Sequence, residues 1–419
     1  MDEFVKELPL DKSKMEERYN SILAPFAKKN PQENSREYDE PMREYENRSD
    51  FQRDRDRIIH SKAFRRLLYK TQVFVNHEGD HFRTRLTHTL EVAQFARGVS
   101  KSLALNEELA EAIALGHDLG HTPFGHAVER YLSDKLEEKQ MGKFFHNEQS
   151  VRIVDYIEKR CDKYNGLNLT YEVREGILKH NSLKDRSGIY SNLQYDKICS
   201  TLEGQVVNKV DTIAYICHDL QDGIESGLIE KAMKKNPQYN EKMIELKEYI
   251  AEFLGVKIED IDFTKYGSAY FIADLIHKFI MKITENSVTN LINYSIQTCE
   301  DVRAKANMNI EIICFDNTTQ KLFEKIKDIV YEYVYGINTI QAMDEKAVNV
   351  INDLFYKFIK NPSLLPPDWY HRYNNIQNND LYTGAKNSNI RVVCDYISTM
   401  TDRYALDEHE RLYNPGIKI

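Results

Sequence analysis

The sequence contains little glycine and proline, with only 17 and 10 of these residues among 419. Because both residues mark turns and interrupt helices, their scarcity disfavours a turn-dense β architecture and favours a helical one. The six cysteines are scattered and form no Cys-x-x-Cys pair, which indicates buried, reduced thiols rather than a disulfide framework. The composition therefore predicts a helical protein of a reducing compartment.

A second group of absences limits where the protein works and what it binds. No stretch approaches eighteen apolar residues, and the N-terminus lacks a basic region followed by an apolar run. We therefore expect no membrane span, no signal peptide and a cytoplasmic location. Positive charge is in deficit, since 57 Lys and Arg face 66 Asp and Glu, giving a net charge of −9. This sign excludes a bulk nucleic-acid binder, so an anionic ligand needs a local cluster of positive side chains.

Apolar residues recur at helical spacing through most of the chain, so we predict an all-α protein. Residues 1 to about 50 are polar and interrupted by prolines, which predicts a loosely structured arm or short helices. A short apolar run, Ile310 to Phe315, is predicted as a strand. The helices are predicted at 86–104, 148–159, 170–180, 202–223, 225–255, 266–300, 318–335, 343–360 and 389–405, and from an N-cap at Asn106 to the end of the apolar run at residue 115.

The densest polar cluster is the stretch GHDLGHTPFGH at 116–126, which holds three histidines and one aspartate. It follows the largely apolar run 109–115, so it stands at a helix end, where side chains and free backbone groups can converge on a ligand. His117 and Asp118 are adjacent, and an imidazole beside a carboxylate suits a divalent metal with mixed nitrogen and oxygen ligands. The alternative is a polar surface turn, which a lone His-Asp pair usually is.

A second alignment of polar residues lies in the predicted helix 202–223. Asp211, Tyr215 and Asp219 follow one another at intervals of four, which places them in a row on one helix face. From spacing alone Asp211 could be an ordinary surface acid and Tyr215 a core aromatic. The histidine at 88, early in its own helix, is by the same reasoning more often a packed or capping residue.

The ordered set Arg85-Leu86-Thr87-His88, His117-Asp118 and a distant Asp211 resembles that of the HD metal-dependent phosphohydrolase superfamily. More narrowly, the chain resembles the deoxyguanosine triphosphate triphosphohydrolases. The matching signatures lie at 51–54, 63–67, 70–74, 85–88, 116–121, 123–126, 395–397 and 400–404. The resemblance implies an HD-domain helical bundle at 50–225, preceded by the polar arm at 1–49. The region 226–419 then adds helices that pack on the core and contribute to the substrate pocket and oligomer contacts.

The resemblance also implies a reaction, in which water attacks the α-phosphorus of a deoxynucleoside triphosphate (dGTP or several dNTPs) and releases a deoxynucleoside and inorganic triphosphate. One divalent ion per subunit, Mn²⁺, Mg²⁺, Fe²⁺, Co²⁺ or Ni²⁺, would be held by His88, His117, Asp118 and Asp211. His126, with Glu129 one helical turn away, is the expected proton donor to the leaving 5′ oxygen. The two other histidines that match positions near the phosphates are His121 and His146, and either is an alternative donor.

The resemblance assigns the substrate contacts to a further set of residues. Gln72 and Val73 match positions near the deoxyribose and base, and Arg85 matches a phosphate ligand. Tyr215 would pack where a 2′-hydroxyl needs space, and Asp219 would accept the 3′-hydroxyl, so that the pocket selects deoxyribose. The other basic residues of this region are expected to be structural or oligomer contacts, at 53, 57, 65, 66, 70 and 83.

The sequence departs from the bacterial pattern at Thr212, since a second acidic residue usually follows the metal-binding aspartate. The implied partners are the nucleotide substrate, a nucleotide activator, further copies in a tetramer or hexamer, and weakly bound single-stranded DNA around residues 53–66. Two other functions compete with triphosphohydrolysis. One is another HD-type nucleotide phosphohydrolase or phosphodiesterase, and the other is a catalytically silent nucleotide-sensing or single-strand-binding regulator.

Overall fold

The computed structural model describes residues 10–40, 46–72, 83–180, 193, 197–264, 267–376 and 388–417. Over these ranges it is built of α-helices joined by loops and short 3₁₀ or π turns, with isolated bridges and no strand. The predicted all-α class is confirmed. The helices, numbered in chain order, are α1 Lys12–Ser21, α2 Asp50–Ile59, α3 Lys62–Arg66, α4 Arg85–Ser102, α5 Glu107–Gly116, α6 His126–Glu138, α7 His146–Arg152, α8 Tyr171–Leu178, α9 Leu202–Glu225, α10 Leu228–Lys235, α11 Pro237–Leu254, α12 Ser268–Asn293, α13 Cys299–Asn307, α14 Asn317–Ile329, α15 Asn338–Lys360, α16 Pro367–Asn374, α17 Ser388–Ser398 and α18 Asp402–Tyr413.

The centre of the fold is α5, which packs against α2, α4, α8 and α9. Asn106 caps it as predicted, because its side chain accepts hydrogen bonds from the backbone of Glu108 and Leu109. The run that follows is buried almost throughout, so α5 forms the axis around which the other helices assemble. Its last turn therefore ends inside the protein, and the residues that follow it lie in an enclosed space.

Three predictions at the level of secondary structure were wrong, and in each a side chain decides the local backbone. The helix predicted at 225–255 is two helices, α10 and α11, because the side chain of Asn236 caps a new helix that begins at Pro237. The predicted strand at Ile310–Phe315 is absent, since the backbone amides of Ile312 and Ile313 donate to the buried Gln205 side chain rather than to a neighbouring strand. The single helix predicted at 389–405 is two helices, α17 and α18. Thr401 caps α18 by accepting a hydrogen bond from Tyr404, which starts a new helix there.

A smaller difference concerns the helix predicted at 148–159. It begins earlier, at His146, and its α-helical part ends at Arg152, where a π turn spans Ile153–Ile157. His146 is thus the first residue of α7 rather than a residue before the helix. The six cysteines are free thiols, and no described helix is long and apolar enough to cross a bilayer.

Two hydrophobic cores hold the molecule together. The larger core unites the helices from α2 to α5 and α8 to α9 with apolar residues as far along the chain as Ile340. The smaller core packs α6, through Val128 and Leu132, against Phe355 of α15 and Val393 of α17. Because α6 begins in the histidine-rich stretch, the C-terminal helices fix the position of one side of that stretch.

A buried ion cluster joins α7 to α17. Asp395 is fully buried and accepts hydrogen bonds from Arg152 at 2.6 and 3.2 Å and from Arg391 at 3.1 Å. Arg391 also donates to Gln149 of α7 at 2.6 Å. Two guanidinium groups thus share one carboxylate, and removal of that charge would leave both without it in a low-dielectric interior.

We expect Asp395→Asn to lower the free energy of unfolding by about 3 kcal/mol, because the two buried arginines lose their counter-charge. Urea denaturation followed by circular dichroism measures this change. Asp407→Asn is the control, since Asp407 pairs with Arg403 on the exposed surface of α18 and should leave the midpoint almost unchanged. Equal midpoints for Asp395→Asn and the unaltered chain would contradict the proposed role of the cluster.

Candidate metal centre and active site

Four residues from three parts of the fold converge at the end of α5. His88 lies on α4, His117 and Asp118 follow α5, and Asp211 lies on α9. His88 Nε2 is 3.0 Å from Asp211 Oδ1, and His117 Nε2 is 3.4 Å from the same oxygen. His117 Nε2 is also 3.3 Å from Asp118 Oδ1. The structure therefore brings together all four residues predicted to bind metal, around one small space.

The hydrogen bonds around His117 show that this space suits a cation. Its Nδ1 lies 2.6 Å from the carbonyl oxygen of Ala114, which can only accept, so the proton is on Nδ1 and Nε2 presents a lone pair. That lone pair has no hydrogen-bond partner among the described residues and faces two carboxylate oxygens. Burial opposes a charge on the ring, but Asp118 and Asp211 raise the pKa of His117 to about 9, so without a metal ion the two carboxylates favour a proton on Nε2, and a divalent ion would take the place of that proton. The donor set of two imidazoles and two carboxylates fits a divalent ion.

A buried histidine that sequence reasoning missed stands behind His88. His218 of α9 places its Nδ1 at 3.3 Å from Nδ1 of His88, and the two rings meet edge to face. A contact on the second nitrogen fixes the orientation of a ligand ring, so His218 positions His88. Its only sequence signal is its place one residue before Asp219, on a helix already marked by polar residues.

Three histidines surround the carboxylate of Glu129. They are His121 and His126 of the 116–126 stretch and His146 of α7. His126 Nδ1 lies 3.0 Å from Glu129 Oε2, and His146 Nδ1 lies 2.8 Å from Glu129 Oε1. His121 stacks on His146 with a ring separation of 3.8 Å and approaches Asp118 Oδ1 to 3.1 Å. Burial opposes ionisation, yet His146 and His126 hold the pKa of Glu129 well below its usual range. Glu129 is therefore an anion that orients two imidazoles.

The side chains of these three histidines differ in their exposure to solvent. The His126 side chain is 49% exposed, while His121 and His146 are 3% and 10% exposed. Because Nδ1 of His126 is bound to Glu129, its Nε2 is the free nitrogen and can meet a ligand. Among the three candidates for the proton donor, His126 is the one whose ring reaches solvent.

A turn with two positive φ angles directly precedes His126 and fixes its position. Phe124 and Gly125 both have positive φ values, 58° and 67°, directly before α6 begins at His126. Such angles are unfavourable for a residue with a side chain, so Phe124 needs support from its surroundings. Asp402 of α18 supplies it by accepting the backbone amide of Phe124 at 2.8 Å, while Thr122 donates to the carbonyl of Gly125 at 2.8 Å. The C-terminal helices thus take part in placing the exposed histidine.

Close contact with α7 explains another glycine of the stretch. A Cβ atom at Gly120 would lie 2.2 Å from both the carbonyl oxygen of His146 and the amide of Ser150. Only glycine therefore permits the first turn of α7 to lie against the 116–126 stretch. Ser150 completes the junction by accepting from the amide of Gly120 at 2.8 Å and donating to the carbonyl of His117 at 2.7 Å.

The residues expected to contact substrate carry buried polar atoms without partners among the described residues. They are Gln72 Oε1, the Nε and Nη2 atoms of Arg85, and Asp219 Oδ1. The first guanidinium nitrogen of Arg85 binds Asp118 Oδ2 at 3.1 Å, so its other nitrogens remain available. Buried polar groups are normally paired, so these unpartnered atoms indicate a place where a ligand could bind.

Tyr215 and Asp219 follow Asp211 along the same face of α9, and the surroundings of each raise its pKa. Burial, followed by the charges of Asp211 and Asp219, raises the pKa of the Tyr215 hydroxyl. Burial raises the pKa of Asp219 to about 8, although the hydrogen bond from Tyr335 opposes this. Tyr335, from the turn after α14, is a residue that sequence reasoning missed, because it lies more than a hundred positions from Asp219.

Several other predicted residues are accounted for by structural contacts or lie outside the description. Val73 falls outside the described residues. Arg83 pairs with Glu91 and Asp222, and Arg53 and Arg57 both reach Glu40, which makes these arginines structural in the described part of the chain. Thr212 donates to the carbonyl of Asn208 at 2.9 Å. The position at which the resemblance predicts a second acidic residue thus holds a hydroxyl that is bonded within the helix.

Comparison with known proteins agrees with this geometry. The HD domain family matches residues 85–216, and the phosphohydrolase-associated domain family matches residues 313–411. The first range contains the four converging residues from His88 to Asp211, and the second contains Tyr335. Fold and site together define an HD-domain phosphohydrolase.

Similar proteins identify the family within this class. A deoxyguanosinetriphosphate triphosphohydrolase-like protein of Geobacter metallireducens is 41% identical over 395 residues, covering 94% of this chain and 96% of the relative. Proteins of the same name from Bordetella pertussis and Rickettsia felis are each 40% identical, covering 94% and 93% of this chain and 97% and 98% of their own lengths. The chain belongs to the family of deoxyguanosinetriphosphate triphosphohydrolase-like proteins.

Proposed function

We propose that this protein hydrolyses deoxynucleoside triphosphates to a deoxynucleoside and inorganic triphosphate, by attack of water at the α-phosphorus. The observation that carries the proposal is the lone pair of His117 Nε2, which faces the carboxylates of Asp118 and Asp211 beside His88. A site of this donor set leaves coordination positions open for ligands other than the protein. The family membership supplies the class of substrate.

In this proposal His88, His117, Asp118 and Asp211 hold one divalent ion. Such an ion supplies Lewis-acid polarisation of the α-phosphate and activation of water. Arg85 binds a phosphate oxygen through the guanidinium nitrogens that Asp118 does not use. His121 lies between Asp118 and His146 and keeps that side of the phosphate site in place.

The leaving group is the 5′ oxygen of the sugar, which is a poor leaving group until it receives a proton. His126 is the donor in this proposal, because its ring is the most exposed of the three candidates and Glu129 holds its Nδ1, which leaves Nε2 for the substrate. Glu129 holds the ring in one orientation and stabilises its charged form. Gln72, Val73 and Asp219 contact the nucleoside, and Asp219 Oδ1 accepts the 3′-hydroxyl.

Tyr215 is proposed to close the pocket against a 2′-hydroxyl. We expect Tyr215→Ala to reduce the preference for dGTP over GTP by about 10-fold or more, because the space beside C2′ is then open. The measurement is kcat/KM for both nucleotides. Tyr270→Ala is the control, since Tyr270 is 84% exposed on α12 and should leave the ratio unchanged. An unchanged ratio in Tyr215→Ala would show that another residue excludes ribose.

The decisive experiment identifies the products. The protein is incubated with each deoxynucleoside triphosphate and Mn²⁺ or Mg²⁺ in H₂¹⁸O, and products are separated by anion exchange. Triphosphate that carries the ¹⁸O label, together with unlabelled deoxynucleoside, supports attack at the α-phosphorus. Monophosphate and pyrophosphate would indicate a different HD-type hydrolase. The absence of any product, with each metal and with added nucleotides as activators, would indicate a nucleotide-sensing or single-strand-binding regulator.

The finer statements about partners and location rest on the same family resemblance. We propose a cytoplasmic homo-oligomer, a tetramer or hexamer, that responds to a nucleotide activator and binds single-stranded DNA weakly. The metal identity among Mn²⁺, Mg²⁺, Fe²⁺, Co²⁺ and Ni²⁺ also belongs to the proposal, because imidazole and carboxylate ligands suit each of them.

A further inference from the structure

Three separate segments of the chain meet beside the active site, and they are 70–72, 121–124 and 398–402. Two residues of opposite charge, Lys70 of the first segment and Asp402 of the third, are only 2% and 8% exposed. The first segment ends at Gln72, which is proposed to contact the nucleoside. The second leads into His126, the proposed proton donor. Contacts among the segments therefore decide where the donor lies relative to the nucleoside.

Lys70 reaches from the first segment to both of the others. Its Nζ donates to the carbonyl oxygens of His121 and Ser398, and the second of these hydrogen bonds is 2.8 Å long. The carbonyl oxygen of Lys70 accepts from the amide of Arg85 at 3.1 Å, where α4 begins. The lysine thereby connects the histidine-rich stretch and the end of α17 with the residue that is proposed to bind a phosphate.

Asp402 makes the complementary connection from the third segment. Its Oδ2 accepts the backbone amide of Thr71 at 2.9 Å and also the hydroxyl of that residue. Its Oδ1 accepts the backbone amide of Phe124 at 2.8 Å, in the turn before His126. Lys70 and Asp402 each bind the two segments to which they do not belong, so the three segments form a closed ring of contacts.

The turn before His126 also lies directly against the residues that are proposed to bind the nucleotide. A Cβ atom at Gly125 would lie 3.4 Å from the carbonyl oxygen of Gln72 and 3.5 Å from Nη2 of Arg85. That guanidinium nitrogen has no hydrogen-bond partner among the described residues. A small shift of either segment therefore changes the distance between the proton donor and the groups that are proposed to hold the substrate.

The burial of Lys70 and Asp402 is unfavourable by itself. Burial, followed by the neighbouring charge of Arg66, lowers the pKa of Lys70 to about 7, although Asp402 opposes this. Burial raises the pKa of Asp402, and the hydrogen bonds from Thr71 and Phe124 oppose this. Apolar residues of similar size often give equal or greater stability, so the backbone groups that the two side chains bind are the better explanation of their presence.

We propose that Lys70 and Asp402 are positioning residues that hold the proton donor at a fixed distance from the groups that bind the nucleotide. The inference rests on the proposed function, because it takes His126 as the donor. Two hydrogens on Nζ are enough for the two carbonyl oxygens, so Lys70 can act as an ammonium or as a neutral amine. A misplacement of about 1 Å can reduce a rate by about 100-fold, even when the side chain responsible does not touch the substrate.

A substrate with sulfur in place of the 5′ oxygen distinguishes positioning of the donor from general damage to the fold. A thiolate leaves without a proton, so a misplaced His126 slows only the oxygen substrate. Lys70→Met keeps the length of the side chain but donates no hydrogen bond. We expect it to lower kcat for the oxygen substrate by about 10- to 100-fold and to recover most of this loss on the sulfur analogue. Asp402→Asn should behave in the same way, because its amide nitrogen cannot accept a hydrogen bond from a backbone amide.

Lys179→Met is the matched control, since it makes the same replacement at another buried lysine. Lys179 pairs with Glu175 at 2.7 Å at the end of α8. This variant should lose stability but keep the ratio of activities on the two substrates. Thermal melting establishes that each variant is folded. Isothermal titration should give Lys70→Met and Asp402→Asn the Mn²⁺ affinity of the unaltered chain, because the four proposed metal ligands lie outside the three segments.

The outcomes separate this inference from the proposed function. Unchanged turnover, or equal losses on both substrates, in Lys70→Met or Asp402→Asn would overturn the positioning role while relief of His126→Gln by sulfur upholds the proposed donor. A fall in Mn²⁺ affinity that matches the fall in turnover would also overturn it, since the two residues would then support the metal site. If sulfur does not relieve His126→Gln, the donor is assigned wrongly and the inference fails with that part of the proposed function.

Discussion

Asp211→Asn is expected to reduce turnover by at least about 10³-fold, because the divalent ion loses the carboxylate that both His88 and His117 face. The asparagine keeps the shape of the side chain but carries no negative charge. Because Asp118 is then the only anionic ligand of the divalent ion, affinity for the ion should fall at least about 100-fold. Isothermal titration with Mn²⁺ measures the affinity, and product release at saturating substrate measures turnover.

The control for this variant is a buried aspartate on the same helix. Asp222 also lies on α9 and pairs with Arg83 at 2.8 Å, away from the converging histidines. Asp222→Asn should bind Mn²⁺ with the affinity of the unaltered chain, even if its stability changes. Turnover by Asp211→Asn close to that of the unaltered chain would remove Asp211 from the metal site, since no other residue can replace its position between the two rings.

His126→Gln is expected to slow hydrolysis by about 10²- to 10⁴-fold, since the 5′ oxygen then leaves without a proton. A substrate with sulfur in place of the 5′ oxygen distinguishes a proton donor from a binding residue. A thiolate is a much better leaving group, with a parent pKa near 8.5, and needs no general acid. We therefore expect the variant to recover most of its activity on the sulfur analogue.

His121→Gln and His146→Gln are the comparison for this test, because the resemblance allows either histidine to be the donor. They should lose activity equally on both substrates if they only organise the phosphate site. If only one of these two variants recovers its activity on the sulfur analogue, that histidine rather than His126 is the proton donor.

The sequence determined those features that depend on residues close to one another in the chain. The capped helix from Asn106, the polar cluster at its end, and the row formed by Asp211, Tyr215 and Asp219 are all matters of three- or four-residue spacing. Helical periodicity repeats over several turns, so it is visible in a single sequence. The all-α class follows from the same periodicity and from the scarcity of glycine and proline.

The tertiary structure decided which of these local features meet. Asp211 stands 123 positions from His88, and only the packing of α4 and α9 on α5 places their side chains 3.0 Å apart. The roles of His218 and Tyr335 could not be predicted from the sequence, because their partners lie on other elements. The run 310–315 was predicted as a strand because it is apolar, and only the fold shows that the side chain of Gln205 accepts the amides of Ile312 and Ile313. Local spacing fixes a helix, whereas a site depends on contacts that form only when distant helices pack.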